Sequence, residues 1–160
     1  MKEIKMSFSH FDKEGNSHMV DVSDKEITKR SATAKCFVRM NDDTLNQIKN
    51  NKIHKGNVLD IAQLAGIMGA KKTAELIPLC HPLSLSSIKV LLNLCDNGIE
   101  VSASCKIDAK TGVEMESLTA VSISALTIYD MCKSIDKSIV IENIRLIHKI
   151  GGKSGDFNQK

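Results

Sequence analysis

The chain has 160 residues, of which 42% are hydrophobic and 26% charged, and a formal net charge of +3. That is one domain's worth of sequence, long enough to bury a core and too weakly basic to argue for nucleic acid by charge alone. Aromatic residues make up 3% of it, with no Trp and one Tyr, which removes the stacking platforms of single-strand RNA binders.

Residues 1–30 are polar and loosely patterned, with one short strand expected at His18–Val22. Ser31–Met40 then alternates strictly, with Ala32, Ala34, Cys36 and Val38 on one side and Thr33, Lys35, Phe37 and Arg39 on the other, the mark of a half-buried strand. Asn41 or Asp42 can cap the helix that follows, with Leu45 and Ile48 on its inner stripe. A second helix is predicted after Gly56, with Val58, Ile61, Ala62, Ala65 and Met68 as its apolar set. Ala62, Ala65, Gly66, Gly69 and Ala70 are small enough to admit another backbone, from the sheet or from another subunit. Because glycine weakens an isolated helix, packing must hold this one.

Leu76–Leu83 reads LIPLCHPL. Pro78 and Pro82 fix their own φ and hold Ile77 and His81 extended, so Cys80 and His81 sit in a stiff segment. A tight turn with an exposed imidazole and a catalytic or binding edge are both open readings. Leu85–Leu94 and Ile99–Asp108 flank Asn97-Gly98, the preferred pair for a type I′ hairpin turn. The register predicted from that turn sets Leu94 against Val101, Leu92 against Ala103, Val90 against Cys105 and Ile88 against Ile107, with Lys89 against Lys106 and Asn93 against Ser102 behind. It buries Cys105 and turns Cys95 to the opposite face. A long helix, Val113–Asp136, and a strand, Ile139–Lys149, complete the pattern. The order is β-α-β-β-α-β, an α+β ferredoxin-like sandwich with an antiparallel sheet and its helices on one face. We expect one domain over residues 1–160, flexible at 1–17 and 151–160.

The N-terminus carries scattered charges and no apolar core, so neither a signal peptide nor a membrane span is expected. Cys36, Cys80, Cys95, Cys105 and Cys132 are odd in number, widely spaced and without a C-x-x-C, which points to a reduced, cytoplasmic protein. No cofactor and no metal is expected.

On the long helix, Leu118, Val121, Ala125, Ile128 and Cys132 form the stripe for the sheet. Glu116, Thr119, Thr127, Asp130, Lys133 and Lys137 share the opposite face, with Ile123 the only apolar member. A solvated face is the ordinary reading. Threonines, poor helix formers, and two carboxylates around Met115 at the positive end of the helix make an active face the alternative. Gly151–Gly155, GGKSG, is not a Walker A loop, because Ile147 stands where a Gly is required and no helix follows. With Lys149 and Lys153 it is either an anion-holding loop or a plain tail.

Six segments occur in order: His18-Met-Val-Asp-Val-Ser23, His54-Lys-Gly56, LIPLCHPL, KTGVEMESLTA, ALTIYDMCK and GGKSGDF. Together they closely resemble the molybdenum cofactor biosynthesis protein C family, from about His18 to Phe157. The resemblance implies an enzyme that rearranges a 3′,8-cyclo-7,8-dihydroguanosine triphosphate to cyclic pyranopterin monophosphate and releases pyrophosphate. It also implies a homohexamer, a trimer of dimers with sites at subunit interfaces. By motif position, Asp130 matches the catalytic aspartate, with Lys133 beside it. Leu79, Cys80 and His81 match one substrate-contacting segment, and Met115 and Glu116 another. Arg30, Lys55, Glu114 and Lys149 fall at further active-site positions. Ser117 and Ile150 depart from the family pattern, where Ala and Ser are usual.

The residues suit such a substrate. Its triphosphate needs cations, for which Arg30, Lys55 and Lys149 serve, and its ring rearrangement needs an acid/base pair, for which Asp130 and Lys133 serve. An RNA-binding domain of this topology would need aromatics where Lys89, Leu91, Asn93, Ser104 and Lys106 stand, and a regulatory domain would normally be fused to an enzyme. One geometric difficulty remains. Glu116 and Asp130 lie about 21 Å apart along a continuous helix. Either the Glu114–Glu116 segment folds back before the helix begins, or the two groups meet from different subunits, with Ala62–Ala70 a surface for their contact.

Overall fold

A computed structural model describes residues 10–12, 14–53, 55–152 and 155–159. His54 and Lys153, both singled out above, lie outside the described residues. The alternating segment forms β1 (Thr28–Arg39), and its inner residues Ala32, Ala34, Cys36 and Val38 are all buried. Asn41 accepts from the Thr44 N–H and so caps α1 (Asp42–Lys49), which buries Leu45 and Ile48. Asn57 caps α2 (Val58–Lys71) in the same way, and a single turn, α3 (Thr73–Leu76), ends at the extended Ile77. β2 (Ser87–Cys95), β3 (Gly98–Ala109), α4 (Glu114–Cys132) and β4 (Val140–Ile150) follow. A two-residue β5 (Phe157–Asn158) pairs with β4, so regular structure returns in the segment the sequence suggests is a loose tail.

The sheet order is β2-β3-β1-β4-β5 and every neighbouring pair is antiparallel. The first four strands in that order, with α2 and α4 between them in sequence, are the ferredoxin-like arrangement. The core lies between the sheet and the two helices, built on Val90, Ile99, Val101 and Cys105 from the strands and Val121, Ala125, Ile128 and Cys132 from α4.

Four expectations need correction. His18–Val22 forms no strand; it runs as an irregular strap. The hairpin register is displaced by two residues, with Cys95 opposite Gly98, Leu94 opposite Ile99, Val90 opposite Ala103 and Ile88 opposite Cys105. Asp96-Asn97 is therefore the turn, and neither Asn97 nor Gly98 has a positive φ. Gly98 serves proximity instead, because a Cβ there would collide with the Val38 carbonyl of β1. An even shift leaves each side chain on its own face, so the buried set is unchanged. In α2, Ile61 and Met68 are exposed, and the buried set is Val58, Ala62, Gly66, Gly69 and Ala70. The small residues form the seat for α4, where the Ser124 hydroxyl donates to the Ala62 carbonyl at 2.9 Å. That surface is spent inside the chain, so it cannot also receive another subunit. Finally, α4 starts at Glu114 and ends at Cys132, with a turn rather than helix leading to Asp136.

Candidate active site

The predicted site residues fall into two groups at the two ends of α4. At its C-terminal end, Asp130 projects between two lysines. Lys133, one turn on, places Nζ 2.7 Å from Oδ1. Lys55, from the loop between α1 and α2, places Nζ 3.4 Å from Oδ2 and donates to the Asp130 carbonyl at 2.8 Å. Both ammonium groups sit where the helix dipole favours cations. The hydrogen bonds from Lys133 and then Lys55 hold the Asp130 carboxyl below its usual range, and the bond to Asp130 raises Lys133. Both shifts favour the ionised forms of the pair. Each group thereby holds the other's titration away from neutral pH.

At the N-terminal end, Glu114 stands 3.5 Å from Lys149 of β4. A Cβ at Gly112 would collide with the Glu114 carboxylate, so that glycine makes the room in which the carboxylate lies. Arg30, on β1, donates from Nε to the Ala109 carbonyl at 2.9 Å, and its guanidinium lies where a Cβ of Gly152 would stand. A cleft of about 420 Å³ lies between Lys29, Arg30, Ser87, Lys106 and Ile150, and neither Glu114 nor Lys149 lines it. Thr111, in the β3–α4 loop, buries a hydroxyl without a hydrogen-bond partner among the described residues.

Glu116 does not lie on a solvated face. It is 4% exposed, and it forms part of a small cavity with Pro82, Leu83 and Ser84 of the proline-bracketed loop. Burial pushes its carboxyl up; a backbone hydrogen bond opposes this and the nearby Glu114 adds to it. Thr119 is buried too, while Met115 reaches solvent. Leu79, Cys80 and His81 are half-buried. Burial, and then the charge of Glu116, raises the Cys80 thiol, which keeps it protonated and poorly nucleophilic. His81 Nε2 lies 2.9 Å from the Val20 carbonyl of the strap, and Lys110 donates to the Ser23 carbonyl of the same strap at 2.6 Å.

α4 runs unbroken through both groups. Glu114 and Asp130, sixteen residues apart, are about 24 Å apart along its axis, and Glu116 and Asp130 about 21 Å. The alternative in which Glu114–Glu116 folds back ahead of the helix is thereby removed. Within one chain, Arg30, Lys149, Glu114 and Glu116 form one cluster and Lys55, Asp130 and Lys133 another.

Sequence reasoning missed the parts that support these clusters. The strap's contacts with His81 and Lys110, the space supplied by Gly112 and Gly152, and the burial of Glu116 all involve partners distant in sequence. The only available signals were the glycines of KTGVEME and GGKSG and the quoted His18–Ser23 motif.

A model of the MoaC family matches residues 19–152. The chain belongs to that family. Two relatives bear the name cyclic pyranopterin monophosphate synthase. One, from Peptoclostridium acidaminophilum, is 49% identical over 155 residues, covering 97% of this chain and 99% of the relative. The other, from Desulfitobacterium hafniense (strain DSM 10664 / DCB-2), is 54% identical over 153 residues, covering 95% and 94%. The family match spans both clusters and the strap from Met19 onward, so it covers every residue of the candidate site.

Proposed function

We infer that this chain is a cyclic pyranopterin monophosphate synthase of molybdenum cofactor biosynthesis. It converts (8S)-3′,8-cyclo-7,8-dihydroguanosine 5′-triphosphate to cyclic pyranopterin monophosphate and pyrophosphate. Family membership and two near-full-length relatives of that name support the reading. The structural observation that carries it is the Asp130 carboxylate held between Lys55 and Lys133.

In this reading the Asp130 carboxylate takes protons during the ring rearrangement and the Lys133 ammonium returns them. Closing the cyclic phosphate joins a sugar hydroxyl oxygen to the α-phosphorus and breaks the α–β phosphoanhydride bond. The departing pyrophosphate needs positive charge at that moment, and Arg30, Lys55 and Lys149 supply it. Leu79–His81 and Met115–Glu116 form the walls against the rest of the substrate, with Glu114 holding Lys149.

One substrate cannot reach both ends of one α4, so the working site combines the Asp130 end of one subunit with the Glu114 end of another. An antiparallel pairing of α4 with its copy about a two-fold axis produces that arrangement. One flank of α4 carries Met115, Leu118, Ser122, Leu126 and Tyr129, spaced three or four apart and all at least partly exposed, with Leu118 and Tyr129 also packing against the core. This stripe is symmetric about Ser122: Met115 would meet Tyr129, Leu118 would meet Leu126, and Glu114 would come level with Asp130. Further apolar residues stand exposed on α2, at Ile61, Leu64 and Met68, and offer a second surface from which dimers build the homohexamer. Five cysteines without disulfides agree with a reducing, cytoplasmic setting, and among the described residues no helix is long and apolar enough to cross a membrane.

The deciding experiment supplies the purified chain with the cyclised triphosphate and follows the pterin product and pyrophosphate together. Equal amounts of the two are expected. Binding without either product, or pyrophosphate without a pterin, would overturn the assignment.

A further inference from the structure

The strap at His18–Ser23 has no part in the mechanism above, yet it touches two segments that do. His81 Nε2 lies 2.9 Å from the Val20 carbonyl. A carbonyl oxygen has lone pairs and no proton, so the imidazole must be the donor in this bond. Nε2 therefore carries hydrogen in both charge states of the ring. When the ring is neutral, its lone pair is on Nδ1.

The ring is held at both ends. Its backbone is set by Pro82, which keeps the preceding residue extended, and the Cys80 N–H donates to Ile77 O at 3.1 Å within the same loop. Its far nitrogen is set by the strap. The strap in turn is braced by local bonds of its own and by one bond to the body of the protein. Asp21 Oδ1 accepts from the Ser23 N–H at 2.8 Å and from the Ser23 hydroxyl at 2.6 Å. Lys25 N–H closes a turn onto Val22 O at 3.0 Å, and Lys110 grips Ser23 O at 2.6 Å. Lys110 leads directly into the loop before Glu114, so the strap ties the His81 loop to the start of α4.

We propose that the His18–Ser23 strap fixes His81 as its Nε2–H tautomer, so that Nδ1 is the nitrogen His81 presents to the substrate. The strap is a positioning element: it chooses which nitrogen is basic and holds the ring plane. The proposal rests on the reading of Leu79–His81 as a substrate-contacting segment, but the tautomer itself can be measured without turnover.

The test uses the full chain labelled with 15N at histidine. The His81 resonances are identified by their loss in His81→Gln, and the spectrum is taken at a pH where the ring is neutral. A protonated-type Nε2 and a bare-type Nδ1 are expected. The opposite assignment, or one signal averaged between tautomers, overturns the proposal even if the enzyme is active. The expected tautomer in a chain that turns over no substrate would leave the strap's role intact and remove the enzymatic reading instead. Two variants then separate the nitrogens, since the Gln amide nitrogen reaches the place of Nε2 and the Asn amide that of Nδ1. His81→Gln should keep the amide-exchange protection of Ser23 and lose turnover by at least about tenfold, the effect of one lost hydrogen bond. His81→Asn should speed Ser23 exchange and retain the more turnover of the two. Greater turnover in the Gln variant would make Nε2 the working atom and overturn the proposal; where the two are equally inactive, the measured tautomer decides.

Discussion

Glu114 and Asp130 stand in the first and last turns of α4, each eight residues from Ser122, with no break in the helix between them. The proposed site is thus divided by the length of one helix. The proposed two-fold pairing would restore it, because such an operation exchanges the two ends of the helix.

Mixed assemblies test this division. Glu114→Gln and Asp130→Asn subunits, each inactive alone, should recover part of the activity when refolded together, since some interfaces then carry one intact site. Mixed oligomers seen by native mass spectrometry that stay as inactive as either parent would rule the shared site out.

In the proposed pairing Ser122 lies on the axis. A residue on a two-fold axis meets its own copy, and a disulfide forms when the two Cα atoms lie within roughly 7 Å. Ser122→Cys should therefore give a covalent dimer under mild oxidation, while the unsubstituted chain, treated alike, stays uncrosslinked on a denaturing gel. An oligomer that forms normally but never crosslinks at this position would exclude the α4 pairing.

Asp130→Asn keeps size and polarity and removes proton exchange. Turnover should fall at least about 100-fold, the lower range for a lost general acid or base, with folding and assembly unchanged by circular dichroism and native mass spectrometry. Near-normal turnover would take the central role away from Asp130.

Glu116 provides a pH signature. Its folded-state pKa lies above the reference value of 4.5, first because of burial. The stabilising neutral form is therefore fully present below the unfolded pKa, and its contribution is lost as pH rises through the folded pKa. Glu116→Gln, which imitates the neutral form, should match the parent in urea at pH 4 and exceed it at pH 7, while losing substrate affinity. A stability difference that does not grow with pH would contradict the burial of an ionising carboxyl.

Gly66 tests the seat between the helices. A Cβ there would collide with the Ser124 hydroxyl and come within 3.0 Å of the Ala120 carbonyl. Gly66→Ala gains helix propensity, yet overpacking should cost about 1–3 kcal/mol, visible as a lower urea midpoint. A more stable variant would mean that α2 can move away from α4 without penalty.

The alternation of Ser31–Met40, the cap at Asn41 and the apolar stripe of α4 are local facts, so the sequence by itself determined the order of the main strands and helices and the inner faces of β1, α1, the hairpin strands and α4. The family motifs contain Lys55, Leu79, Cys80, His81, Glu114, Met115, Glu116, Asp130 and Lys133 of the proposed site, while Arg30 and Lys149 lie outside them. Tertiary structure decided what depends on distance. The hairpin register lies two residues from the one the Asn-Gly pair suggests, and Gly98 instead makes room for the Val38 carbonyl of β1, a contact that neither hairpin strand encodes. In α2, periodicity chose Ile61 and Met68 for the core, but the narrow seat on α4 admits only glycine and alanine, so the larger side chains face outward. Glu116 reads as a solvated helix position, yet it is buried beside a small cavity lined by the end of α2, α3 and Pro82–Ser84. The length of α4, an unbroken helix, then holds the two groups of candidate residues about 24 Å apart. Residue types fix which chemistry is available; close packing and the rigidity of one helix fix where, and between which groups, it can occur.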